Sequence, residues 1–180
     1  MKKILMLLLL SFCFGAIINV PDDYSTIQGG IDAASEGDTV LVAAGTYSPS
    51  TNSEVFPIEM ASGIHLIGSG EDVSIIDAQQ TSNVIRIEEC DNNIIADLTI
   101  TGGLTDSYGG GMWLDYSNPI LTNVTISNNT AENYGGGMYL GSSNPNLTHV
   151  TIANNTANSN GGGMHLNSSN PKLTHVTISN

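Results

Sequence analysis

Residues 109–112, 135–138 and 161–164 all read Gly-Gly-Gly-Met, a regular repeat with a period of 26 residues. Over the first 20 positions of each copy, the second and third agree at 16 and the first and second at 14. A fainter copy, NNIIADLTITGG at 92–103, lies one period before NPILTNVTISNN at 118–129. A fixed period of this size is the mark of a repeat architecture, in which no single copy buries its own apolar face. The apolar residues settle which kind. Met138 and Leu140 alternate with outward positions, as do Val150 and Ile152, and Thr, Val and Ile are frequent. That is the period of a strand and not of a helix. SSNPN and ANNTANSNGGG are corner formers.

Each copy is therefore two or three short strands joined by corners. The apolar face is buried by coiling, each strand pairing with its equivalent one copy on. The fold class predicted is all-β, a right-handed parallel β-helix, the hand following from the crossover rule for parallel strands. Equivalent residues then stack about 4.8 Å apart. Met112, Met138 and Met164 form one inward column, and Leu114, Leu140 and Leu166 a second. Val124, Val150 and Val176, then Ile126, Ile152 and Ile178, make two more. Leu147 and Val150 are three apart, so a bend at Thr148 and His149 is expected to turn both inward. Asparagine columns are expected at two corners, Asn118, Asn144 and Asn170 at one and Asn128, Asn154 and Asn180 at the other. Five N-x-S/T sequons, at Asn123, Asn128, Asn146, Asn154 and Asn167, follow from asparagine corners set beside threonine-rich strands.

The chain divides into three parts. Residues 1–16 begin with Lys2 and Lys3, run apolar from Ile4 to Leu10 and end on small residues. This is a secretory signal peptide, too short to span a bilayer. Residues 17–82 hold an N-terminal cap and the first irregular coils. A short helix capped by Ser25, with Ile27, Ile31 and Ala34 inward and Gly37 at its end, covers the first coil. Residues 83–180 are the repeats, and the stop at Asn180, six residues short of a copy, is the expected mark of a truncated chain.

The charge excludes some partners. The chain carries 17 acidic and 4 basic side chains. Without the leader only Arg86 and Lys172 remain as fixed cations, and the formal charge is about −15. Nucleic acid and anionic lipid require a basic patch, so neither is an expected partner, and polyuronates are repelled as well. No later segment is apolar enough to cross a membrane. Cys90 is the only cysteine outside the leader, so no internal disulfide forms. The expected location is secreted, extracellular or on the outer cell surface.

VPDDYSTIQGGIDAASEGDTVLVAAGTY followed by IHLIGSG resembles the N-terminal cap and first coil of secreted bacterial right-handed β-helix proteins with the pectin-lyase-like fold. The later copies are similar to the repeats of chlamydial-type polymorphic outer-membrane proteins. Their GG-A-I and F-x-x-N elements correspond here to GGGM at 135–138 and IANN at 152–155. The resemblance implies a surface or secreted β-helix. It also raises the alternative of a polysaccharide-degrading enzyme, pectate lyase-like or a glycoside hydrolase.

The residues favour binding over catalysis. Lyases of this fold hold Ca²⁺ with clustered acids beside an Arg or Lys base, and no acidic cluster is expected to accompany Arg86 or Lys172. Hydrolysis of a glycoside needs converging carboxylates, and the repeats supply only Asp115 and Glu132, at positions expected on different sides of the coil. No catalytic residue, cofactor or metal is assigned. His149 and His175 share a column, with Asn123 in the first copy and no third ligand in view. The calcium nonapeptide is absent, and the GGG triplets lack the context of a phosphate loop. Outward threonines at Thr125, Thr151 and Thr177 give one Thr per copy, too sparse for an ice-binding face. The candidate ligand-binding residues are Trp113, Tyr139 and His165, which alternation places outward in one column. Such rings suit a polysaccharide or cell-surface glycan.

Overall fold

A computed structural model describes residues 15–179. The signal peptide assigned to residues 1–16 and the column member Asn180 lie almost wholly outside the described residues. Every pairing between strands is parallel, and the strands form three sheets that wind as a β-helix. The longest sheet runs through Ile17–Val20, Thr39–Val42, His65–Gly68, Ile94–Thr101, Ile120–Ser127, Asn146–Ala153 and Lys172–Thr174. A second sheet, the ring sheet, stacks Ile58–Glu59, Ile85–Glu88, Met112–Asp115, Met138–Gly141 and Met164–Asn167. A third holds the two-residue strands Leu104–Thr105, Thr130–Ala131 and Thr156–Ala157.

The register is the one the repeat dictates. Met112 pairs with Met138 and Met138 with Met164, while Leu114, Leu140 and Leu166 form the parallel column. Val124 and Ile126 face Val150 and Ile152 in the same way. Met112, Leu114, Val124, Ile126, Met138, Leu140 and Ile152 are fully buried. This continuous apolar column is the core, and its burial drives the coiling. The bend at Thr148 and His149 is present. His149 has φ 53°, and its column neighbours Asp97, Asn123 and His175 have φ 57°, 52° and 52°. Asn, Asp and His tolerate this left-handed region better than other side chains, which accounts for the residue types in the column.

Two polar ladders hold the corners. Asn118 Oδ1 accepts from the Asn144 N–H at 2.7 Å, and Asn144 Oδ1 from the Asn170 N–H at 2.7 Å. The other corner differs from expectation by one residue. Asn128 and Asn154 take the left-handed turn, at φ 57° and 55°, and stay exposed. The buried ladder is Asn129 and Asn155 beside them. Asn129 Oδ1 accepts from the Gly103 N–H at 2.8 Å, and its Nδ2 donates to Asn155 Oδ1 at 3.0 Å and to the Ile100 carbonyl at 3.2 Å.

The helix is Ile27–Ala33, and its first turn is capped by Thr26, not Ser25. It ends at Ala34, before Gly37. Ile27 and Ile31 seal the first coil as expected. Its first two amides donate to Glu54, which is 2% exposed: Ile27 N–H to Oε2 at 2.7 Å and Gln28 N–H to Oε1 at 3.2 Å.

Just after the helix, Asp38 accepts from the Ala16 N–H at 2.6 Å and the Ser35 N–H at 2.8 Å. These bonds favour the carboxylate and hold its pKa below the ordinary 3.8, the Ser35 bond contributing most. The folded pKa lies below the unfolded one, so their stabilisation is present above about 3.8 and is lost as pH falls through the folded value. In an NMR titration, the Ala16 and Ser35 amide shifts should move together with one apparent pKa below 3.8. Asp38→Asn should abolish that step, and a midpoint at or above the ordinary value would contradict the two bonds.

Candidate functional site

Outward side chains on the ring sheet fall in one column because the strands are in register. From the N-terminal side the column reads Glu59, Arg86, Trp113, Tyr139 and His165. The three expected residues therefore share one face and are half-buried. The sequence missed their neighbours. Tyr108 and Tyr134 pair across the preceding glycine corner and stand beside the column. Their spacing of one repeat period was the available signal.

The rings form one stack. Tyr108 and Tyr134 lie 5.5 Å apart with planes 8° apart, and Tyr139 and His165 lie 5.7 Å apart at 5°. Contacts of 4.9 Å between Tyr108 and Tyr139 and 4.5 Å between Tyr134 and His165 join the two columns. The ring planes face one another along the helix axis, so each stacked pair covers the faces turned toward it. Asn167 Nδ2 donates to the Tyr139 hydroxyl at 3.1 Å. Offset stacking of this kind stabilises a sheet by about 0.5–1.5 kcal/mol per pair.

At the head of the stack the chemistry changes. The Arg86 guanidinium lies 4.4 Å from the Trp113 ring centroid. It donates to Glu88 at 2.8 Å and faces Glu59 at 3.8 Å. Asp115 is the register neighbour of Glu88, on the same outward side as Trp113. Partial burial raises the Asp115 pKa from its ordinary 3.8, Glu88 and Glu89 add to the rise, and Arg86 opposes it. Burial also raises Glu59, against the pull of Arg86. Contrary to expectation, then, acids do gather around Arg86: Glu59 and Glu88 neutralise it locally, and with Asp115 the face keeps a net negative charge.

A cleft of about 430 Å³ opens here. Trp113 and Tyr108 supply its aromatic wall, and Arg86, Asn83, Asp106 and Ser107 supply polar groups. Asn83 Nδ2 is committed to the Tyr108 and Gly109 carbonyls, at 2.7 and 2.6 Å, and so fixes the corner that carries Tyr108. Glu132 lies after the strand Thr130–Ala131 of the third sheet, away from Asp115. Its carboxylate accepts from Asn158 Nδ2 at 2.6 Å.

The remaining histidines and sulfur atoms are placed otherwise. His149 and His175 are exposed, with rings 4.8 Å apart and 4° from parallel. Cys90 is buried, and its thiol points at the Met60 and Glu88 carbonyls. Met112 and Met138 are sealed in the core. Among the described residues no group of three His, Cys, Asp or Glu is gathered in a way that could hold a metal ion. Among the same residues no helix is long and apolar enough to cross a membrane.

Residues 31–180 match the family model described as periplasmic copper-binding protein (NosD). No curated protein and no solved structure matches the chain.

Proposed function

The chain belongs to the NosD family of β-helix proteins, and from that premise we propose that it is a non-catalytic protein of the cell envelope or outer surface that binds a neutral glycan. The observation that carries this reading is the cleft at the head of the ring stack, where the Trp113 and Tyr108 rings meet hydrogen-bonding side chains. A sugar presents both kinds of surface, C–H faces for an aromatic wall and hydroxyls for polar groups. The negative field around Glu59, Glu88 and Asp115 disfavours polyuronates. Tyr139 and His165 then stiffen the wall through Tyr108, on which Tyr139 stacks.

Copper, the metal in the family's description, does not suit these residues. Cu(II) takes imidazole and oxygen donors in a tetragonal set, and Cu(I) takes thiolate and thioether. The His149 and His175 rings lie parallel, so their nitrogens do not converge on one point between them. The Cys90 thiol is turned to two backbone carbonyls, and Met112 and Met138 have no exposed surface.

One observation favours a second reading, a glycoside hydrolase. Glu88 and Asp115 are register neighbours, and partial burial raises the Asp115 pKa, the direction a general acid needs. Release of reducing ends by the wild-type chain, abolished in Asp115→Asn, would replace the binding reading with this one.

The binding reading is tested by retention on immobilised neutral polysaccharides. Trp113→Ala and Tyr108→Ala should each weaken retention about tenfold, or ~1.4 kcal/mol, the scale of one aromatic contact. Circular dichroism should stay near wild type in both, and the melting point of Tyr108→Ala should fall by a few degrees for its two lost ring contacts. Equal retention by folded variants would overturn the proposal.

A further inference from the structure

The corner that closes the ring sheet imposes one backbone geometry on successive coils. Glu89, Tyr116, Ser142 and Ser168 each follow the last residue of a ring-sheet strand, and their φ angles are 50°, 47°, 47° and 55°. Backbone bonds hold this bend. The Glu89 N–H donates to the Asp115 carbonyl at 3.0 Å, the Tyr116 N–H to Gly141 at 3.0 Å and the Ser142 N–H to Asn167 at 2.9 Å. No side chain is needed to make the turn, and a left-handed φ crowds the Cβ against the backbone. Two of the four coils place serine here and one places glutamate. Tyr116 alone is aromatic, and a bulky ring at φ 47° strains the fold.

Nothing inside the protein offsets that strain. Tyr116 is 63% exposed, more than any other aromatic residue among those described. Among the same residues its ring stacks on no other and its hydroxyl finds no partner. The stacked rings, by contrast, are half-buried and hold one another. A residue that strains its backbone and gains no contact in return points to a role outside the chain.

Its place defines that role. Trp113 and Asp115 leave the strand Met112–Asp115 on one outward side, and Tyr116 follows at the rim. Three residues of extended chain span at most about 10 Å, close to the length of two hexoses in a β-1,4-linked glycan. Successive hexoses in such a glycan are turned over, so every second one presents the same face. Between the two rings lies the Asp115 carboxylate, which leans over Gly141, where a Cβ would meet its Oδ1. It is an acceptor for the hydroxyls of the hexose in between. The direction across the strands is less open. Tyr139 and His165 turn their faces to each other and Arg86 lies over Trp113, so a glycan running up the coils would meet ring edges.

We propose that Tyr116 is a second ring platform of the glycan site, and that the glycan lies along the strand Met112–Asp115, from Trp113 over Asp115 to Tyr116. The proposal rests on the glycan reading above. It makes the site a reader of chain length, since a dimer reaches one ring and a tetramer reaches both.

Calorimetry on the full chain compares the β-1,4-linked glucose dimer and tetramer. The wild type should bind the tetramer about tenfold more tightly, the scale of one aromatic contact. Tyr116→Asn removes the ring and suits the left-handed turn. It should bring the tetramer to the affinity of the dimer, leave the dimer unchanged and raise the melting temperature by a few degrees as strain is relieved. Tyr116→Phe should keep the wild-type ratio. Trp113→Ala should weaken both oligomers. A wild-type ratio near one, or a ratio unchanged in Tyr116→Asn, overturns the Tyr116 platform and leaves the Trp113 reading standing. A lower melting temperature in Tyr116→Asn overturns it too, since the ring would then be holding the fold. Failure of both oligomers to bind removes both proposals.

Discussion

Asn129→Ala is expected to destabilise the protein by about 3–5 kcal/mol. Asn129 has no exposed surface, and three groups depend on it: the Gly103 N–H, the Ile100 carbonyl and Asn155 Oδ1. Each buried partner left unsatisfied costs about 1–3 kcal/mol, less where a neighbour can compensate. Asn155 keeps its bonds to the Asn129 N–H and the Ile126 carbonyl, which limits the damage to the middle coils. A domain is typically stable by about 5–15 kcal/mol, so the loss is a large share of the total. A urea unfolding series should show the midpoint fall steeply. Asn128→Ala, at the exposed neighbour, should lose far less and report mainly the left-handed φ. Equal effects at the two positions would contradict the assignment of the ladder to Asn129.

Glu54→Ala has the second-largest expected effect, about 2–4 kcal/mol. The helix Ile27–Ala33 has 7 residues, too few to be stable alone. Glu54 accepts from its first two amides inside the protein, and Asn52 Nδ2 donates to the same carboxylate at 3.2 Å. Hydrogen bonds to a charged group are worth about 1.5–3 kcal/mol, and here alanine strands the Ile27 and Gln28 donors. Loss of the helix would uncover Val20, Ile27 and Ile31 at the end of the coil. Hydrogen exchange should quicken at the helix amides and along Ile17–Val20, while amides of the strand Asn146–Ala153 keep their protection. Glu54→Gln retains one acceptor oxygen and should recover part of the loss. Uniform loosening of the whole chain in Glu54→Ala would show that the helix is no separate cap.

The division of labour between these two residues shows what the sequence could reveal. Asn129 belongs to the repeat, and the repeat was plain because in-register stacking demands the same residue type at the same step of each coil. That demand fixed Met112, Leu114, Val124 and Ile126 as core positions, and it placed the bend at His149. It did not separate Asn128 from Asn129, because both are asparagines at a corner and only the backbone turn decides which enters the coil. Glu54 lies outside the repeat and meets the helix 27 residues after Ile27, with no periodic neighbour to mark it.

The candidate site was legible to the same extent. Trp113, Tyr139 and His165 share a face because alternation fixes which way a side chain leaves the sheet. Alternation says nothing about ring tilt, so the closed stack with Tyr108 and Tyr134 had to come from the structure. Arg86 and Glu59 escaped a comparison at the repeat period because their coils, from Ile58 to Ile85 and from Ile85 to Met112, are each one residue longer than the period.

Trp113 is the only tryptophan in the chain, so its fluorescence reports on the proposed glycan cleft without any substitution. The decisive measurement is the emission of the wild-type protein during titration with the neutral β-1,4-linked glucose tetramer, with acrylamide as quencher. The account predicts a saturable blue shift and a matching fall in quenching, and no response to an equal concentration of a polyuronate. Binding seen by calorimetry with Trp113 emission and quenching unchanged would place the ligand elsewhere and contradict it.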